Sequence, residues 1–239
     1  MRPSRRGVRV PAGVAAGYVV VRRGKVVLRY RERAVFRSAS VVKLLIALDH
    51  LRGGKRDVRL LEPMLRSSDD RAATELWRRG GRGEIIERMV RLVGLRDTAP
   101  PPADKPGFWG YTALSAGDVA RVYRYLMRVP EGKVVLGYLR KSTRCGADGF
   151  DQSFGIPRLG RDAAVKQGWS GFGDVPAVRC RGNAVRVAAP LGIGRPVLHT
   201  TGVVGDRIVV VLTLQPAGSG FEAGAKRVTA LTRQVYAAS

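Results

Sequence analysis

The chain has 239 residues, 45% of them hydrophobic and 26% charged, which suits one large domain or two intimately packed ones with a real core and argues against disorder. Its formal net charge is +24, spread along the length without a block of five or more like charges, and it carries only two histidines and two cysteines, with no CxxC pair. A metal site is therefore not expected, no cofactor is implied, and nucleic-acid binding would rest on charge alone, since neither zinc-finger spacing nor an RNP-type aromatic motif is present.

The excess of arginine reads in two ways: as a solvated surface, or as a surface for anionic partners such as acidic cell-wall polymer. The basic N-terminus leads into a stretch, 7–16, interrupted by Arg9, Pro11 and Gly13, so it lacks the apolar run of a signal peptide. No later segment is long enough to span a membrane. A cytoplasmic protein, or an exported one already without its leader, is the expectation. Cys145 and Cys180 are read either as one disulfide or as two buried thiols.

Along the chain, Gly17–Arg22 and Val26–Tyr30 read as two strands joined by a glycine turn, and Val35–Ala39 as irregular. Helical periodicity runs from Ser40 to about Leu139, with helices predicted over Val41–Leu51, Asp57–Arg66, Asp70–Arg79, Glu84–Val93 and Ala116–Met127. A loop rich in proline and glycine, Thr98–Gly110, interrupts them. Strand character returns at Ala163–Trp169, Val175–Cys180, Val197–Val204 and Arg207–Leu214, and a helix over Gly224–Ala237 closes the chain. This order predicts an α+β fold: an antiparallel sheet with a terminal helix, residues 1–37 and 156–239, and an inserted helical lobe, 38–155. A ligand site is expected at the seam between them.

Three short motifs carry the chemistry. Ser40-Val-Val-Lys43 sits where the irregular segment meets the first helix; a serine there, with a lysine one turn on, brings hydroxyl and amine onto one face beside helix-terminal N–H groups. Ser68-Asp69-Asp70 opens a later helix and is by itself an ordinary N-cap with acidic first-turn residues. Lys166-Gln167-Gly168, followed by Trp169 and Ser170, lies on a strand, where a lone lysine is usually a solvated edge charge.

Taken together and in this order, the three motifs resemble the SxxK, SDN and KTG signatures of the penicillin-recognising serine hydrolases, in particular the class A β-lactamase-like branch. The resemblance implies that Ser40 is the acylated nucleophile and that Lys43 accepts or relays its proton. It further implies that Ser68 protonates the leaving nitrogen and that Lys166 holds a substrate carboxylate. The N–H groups of Ser40 and Trp169 would form the oxyanion hole, with Asp70, Gln167, Gly168 and Ser170 as further substrate contacts. It implies a lactam or amide substrate and a secreted or envelope location.

Three departures from that pattern bear on the outcome. Asp70 stands where the signature has asparagine, so an acceptor-only carboxylate faces Lys43. Gln167 replaces a threonine. The stretch 96–111 holds no glutamate for deacylation, only Asp97 and Asp104. An acyl-enzyme with weak or absent β-lactam turnover is therefore expected; the competing readings are a binding-only relative with a basic surface, and an amidase, esterase or acyltransferase acting on other substrates.

Overall fold

The computed structural model describes residues 7–54, 57–173, 176, 180 and 194–239. The opening apolar runs form β1 (Ala15–Arg22) and β2 (Lys25–Tyr30), and the C-terminal runs form β5 (Ala163–Ser170), β6 (Val197–Val204) and β7 (Arg207–Leu214). β3 (Val35–Arg37) and β4 (Ala113–Ser115) are two short strands between them. The first group makes one antiparallel sheet of order β2-β1-β7-β6-β5, so the first hairpin joins the last strands as expected. Of the strand expected at Val175–Cys180 only residues 176 and 180 are described, and the rest falls outside the described residues.

Alternation along the strands decides what covers each face. Tyr18, Val20, Val165, Val209 and Val211 pack with Leu231 and Val235 of the terminal helix α7 (Phe221–Ala237). Val19, Val21, Ala164, Ile208, Val210 and Leu212 point the other way, into the larger core. Both faces are thus buried, which is why β1 and β7 read as nearly unbroken apolar runs.

The larger core is filled by α1 (Lys43–Arg52), α2 (Val58–Arg66), α3 (Asp70–Arg79), α4 (Gly83–Val93), α5 (Ala116–Leu126) and α6 (Pro130–Arg140). In α1 nearly every side chain from Lys43 to Leu48 is buried, so the helix runs through the middle of the core rather than along its surface. Five or six fully buried aliphatic side chains there, each contributing roughly 1.5–3 kcal/mol, offset the cost of carrying Lys43 inside.

Two short segments depart from the sequence reading. Val35–Arg37 is a strand, paired with Ala113–Ser115. Three residues are too short for a periodic pattern, and the partner lies far along the chain. This small sheet aims the turn that follows it: Ser38 donates its N–H to the Thr112 carbonyl at 2.8 Å and its hydroxyl to that of Gly110 at 3.3 Å.

Candidate active site

Ser40 lies in a 3-10 turn, Ala39–Val42, that runs straight into α1. The residue before it, Ala39, is held at φ +44, and Ser68 at φ +60. Left-handed backbone at residues with a side chain costs on the order of 1–3 kcal/mol each, and such strain gathers where surrounding structure must aim a group. Here both strained residues flank one cleft. β5 closes it: an edge strand, it passes so tightly over the turn that a Cβ on Gly168 would lie 3.0 Å from Val41 Cγ2 and 3.1 Å from the Ser38 carbonyl oxygen. Gly168→Ala is expected to push β5 away from Ser40 with a modest loss of stability, which urea unfolding checks, and to slow any reaction at Ser40 about a hundredfold, as a 1 Å misplacement does.

The connector between α2 and α3 splits the second motif by role. Asp69 is the N-cap of α3, accepting the Ala72 N–H at 2.8 Å, and faces its own helix. Ser68 and Asp70, on either side, turn toward Lys43. Lys43 is wholly buried, and its Nζ donates to the Ser68 carbonyl at 2.6 Å and to Asp70 Oδ1 at 2.6 Å, with Ser68 Oγ at 3.4 Å. Its ammonium also lies 4.7 Å from the ring centre of Trp109, whose indole N–H is anchored on Thr74 Oγ1 at 3.1 Å. Lys166, 1% exposed, reaches the same hydroxyl: its Nζ is 2.7 Å from Ser68 Oγ and 3.3 Å from the Gln167 carbonyl. Ser68 Oγ thus joins two buried amines.

Burial pushes the pKa of both lysines down. For Lys43 the Asp70 carboxylate opposes that push; for Lys166, lowered well below the ordinary range, the charge of Lys43 adds to it. The Ser40 hydroxyl, on a residue 6% exposed, makes no hydrogen bond to a described residue. The direct Ser40–Lys43 pairing expected from helical spacing is therefore not formed: the amine is drawn to Ser68 and Asp70, whose stronger acceptors lie across the cleft.

The other predicted contacts divide. Gly168 and Ser170 share the Lys166 face of β5, and the Ser170 carbonyl takes a 3.4 Å bond from Arg37. Gln167 does not present its side chain to the cleft, which corrects its expected place among the substrate contacts. It points to the opposite face, is 1% exposed, and donates to the carbonyls of Gln152 and Phe154 at 3.0 and 2.6 Å. Trp169 starts from that same far side, packs beside Phe150, and bends its indole N–H to Asp148 Oδ2 at 2.8 Å.

Two residues of the site were not among the predicted site residues, Trp109 reading as a core or loop anchor and Asp148 as part of a turn at the lobe hinge. Trp109 walls in Lys43 from the proline-rich loop. Asp148 stands at the rim, close enough for its charge to act on Lys43; its surroundings push its carboxyl up despite bonds from Phe150 N–H and Trp169. Its loop is stapled by the Cys145–Cys180 disulfide, Cα–Cα 5.5 Å, which settles the pairing left open by sequence. Asp97 and Asp104, the acids of the loop without glutamate, are engaged elsewhere. Asp97 takes bonds from Arg33 and Ser115, and Asp104 is an exposed carboxylate beside Lys105.

The architecture that carries this cleft is that of the class A β-lactamases and related penicillin-binding proteins. The chain superposes on PBP-A with a TM-score of 0.67 at 16% identity, covering 97% of this chain and 92% of that one. On a class A β-lactamase from Mycobacterium abscessus the TM-score is 0.66 at 16% identity, covering 95% and 94%. A PBP-A variant solved as an acyl-enzyme complex with penicillin G aligns equally well, at 0.67 and 14% identity over 95% and 90%. At such identities the likeness concerns the fold. In sequence, the chain is 36% identical over 203 residues to proteins named "Putative lipoprotein LppW" from Mycobacterium bovis and Mycobacterium tuberculosis, an alignment spanning 77% of this chain. The chain spans 57% of the length of those relatives. No family model matches it.

Proposed function

We propose that the protein is a serine acyl-transfer enzyme that opens a lactam or amide bond and carries the acyl group as an ester on Ser40. The observation that carries this reading is the Lys43–Ser68–Lys166 chain of contacts, two amines buried at some cost around one hydroxyl beside a serine at a strained turn. A structural role does not explain it, because paired apolar residues of the same size would be cheaper. Ser40 attacks, the lysine pair linked through Ser68 handles its proton, and backbone N–H groups of Ser40 and Trp169 receive the oxyanion. Lys166 and the edge of β5 that no described strand pairs offer a seat for a substrate carboxylate.

Release of the acyl group is the slow step. Among the described residues the carboxylates near the cleft are Asp70, bonded to Lys43, and Asp148, bonded to Trp169 and the Phe150 N–H, so neither is free to activate water. Residence in the cell envelope is supported by the disulfide and by the relatives named as lipoproteins. No helix among the described residues is long and apolar enough to cross a membrane.

Incubation with a fluorescent penicillin should add one penicilloyl mass, seen by intact-mass spectrometry, that persists for hours and disappears in Ser40→Ala. No adduct with penicillins or simple activated esters would sink the enzymatic reading in favour of a binding-only protein. Rapid turnover of a chromogenic cephalosporin would overturn the slow-release part alone.

A further inference from the structure

The hydrogen bonds around Ser68 distinguish its two amines. An ammonium has three hydrogens to donate, and Lys43 has three acceptors: the Ser68 carbonyl, Asp70 Oδ1 and Ser68 Oγ. Its two 2.6 Å contacts are the length of charge-assisted bonds, and one of them is to a carboxylate. The face of Trp109 adds a further preference for positive charge there. Among the described residues no carboxylate lies within hydrogen-bond distance of Lys166; its neighbours there are Ser68 Oγ and the Gln167 carbonyl. Ser68 has a single hydroxyl hydrogen. With Lys43 donating into Ser68 Oγ, that hydrogen is free to point at the Lys166 nitrogen, and the 2.7 Å separation suits an O–H donating to an amine lone pair.

Two ammonium groups around one hydroxyl, out of water, repel each other, which favours one charged and one neutral amine. Among the described residues the groups facing the pair are Asp70 from α3, Asp148 from the disulfide-stapled loop, and Trp109, while the charge of Asp69, turned to its own helix, acts only from a distance. Asp70, in direct contact with Lys43, decides where the proton sits.

We propose that Lys43 is a fixed ammonium and that Lys166 is the proton acceptor, reached through Ser68. The assignment rests on the acyl-transfer reading above and reverses the roles implied by the family resemblance. As the Ser40 Oγ–carbon bond forms, the carbonyl π pair moves to oxygen. The Ser40 proton passes to Ser68 Oγ while the Ser68 proton passes to the lone pair of Lys166. Collapse of the tetrahedral adduct breaks the carbon–nitrogen bond, and the proton returns from Lys166 through Ser68 to the departing nitrogen. The products are the Ser40 ester and an amine, with both lysines as they began. Asp70, the departure from the asparagine of the signature, is the residue that sets this polarity.

The test is a titration of the side-chain nitrogens in protein labelled with 15N-lysine, read by NMR without substrate and assigned with Lys43→Met and Lys166→Met. Near pH 7 a charged Lys43 and a neutral Lys166 are expected. The acid limb of the acylation rate should coincide with the Lys166 titration, and Asp70→Asn should move the Lys43 titration down by a pH unit or more. A neutral Lys43 beside a charged Lys166, or an acid limb that tracks Lys43, overturns the proposal. Should the methionine variants not fold, Asp70→Asn, at a carboxylate 66% exposed, still identifies the lysine that responds most; a larger response at Lys166 than at Lys43 overturns the assignment. No adduct on Ser40, with the charges as expected, overturns the acyl-transfer reading and leaves the charge assignment standing.

Discussion

Ser68→Ala is expected to slow acylation of Ser40 by about 10³-fold, equivalent to about 4 kcal/mol of barrier, with the protein still folded. Ser68 Oγ touches both buried amines, so its loss cuts the proton path whichever lysine receives the proton. A control comes from the backbone. Ser68 is held at φ +60, a conformation glycine adopts without cost, so Ser68→Gly should lose as much rate as Ser68→Ala while being about 1 kcal/mol more stable than it. Single-turnover acylation followed by penicillin fluorescence, alongside urea unfolding of both variants, makes the comparison. Equal rates in wild type and Ser68→Ala would remove Ser68 from the mechanism.

Stability should fall by about 3 kcal/mol as the pH drops from about 6.5 to about 4, and His199 is the cause. The ring is fully buried; Nδ1 accepts the Thr213 N–H at 3.1 Å, which leaves Nε2 to donate to the Arg37 carbonyl at 2.9 Å. This neutral tautomer ties β6, β7 and β3 together. Burial lowers its pKa from the ordinary 6.5 to about 4. Between those values the unfolded chain binds a proton that the folded chain does not, so the stability present above pH 6.5 is lost on the way down. The half-buried Glu75 and the exposed Asp206, held low by arginine hydrogen bonds, act differently: what they contribute is lost only at more acid pH, as they protonate in the folded state. Urea midpoints across this range should show the slope in wild type and not in His199→Gln. A flat profile in wild type would mean that His199 titrates in the fold as it does in the unfolded chain.

Much of the fold was legible because its elements are long and strongly patterned. β1, β7, α3 and α7 announce themselves by period and by glycine or acidic boundaries, and α3 begins and ends where the pattern says. β3 was not legible, since three residues give no period and its register is set by Ala113–Ser115. The site was legible as a set of motifs. Ser68 and Asp70 reach it while Asp69 does not, because the middle residue caps the helix. Gln167 was misread because a motif is a string of letters, whereas a strand sends alternate residues to opposite faces. Trp109 and Asp148 lie in loops whose composition is equally explained by turn formation, and only the packing brings them to Lys43.

The order of the three motifs and their resemblance to a known signature set singled out Ser40, Lys43, Ser68 and Lys166 as candidates, and the apolar runs were enough to place the first hairpin in the sheet of the last strands. Which amine meets which acceptor was decided by the tertiary structure alone. Helical spacing allows Lys43 to face Ser40, but a buried ammonium goes where its charge is best compensated, and that place is built by Ser68 and Asp70 from another helix. Hydrogen-bond partners of a desolvated charge are a property of everything packed around it, which no local stretch of sequence contains.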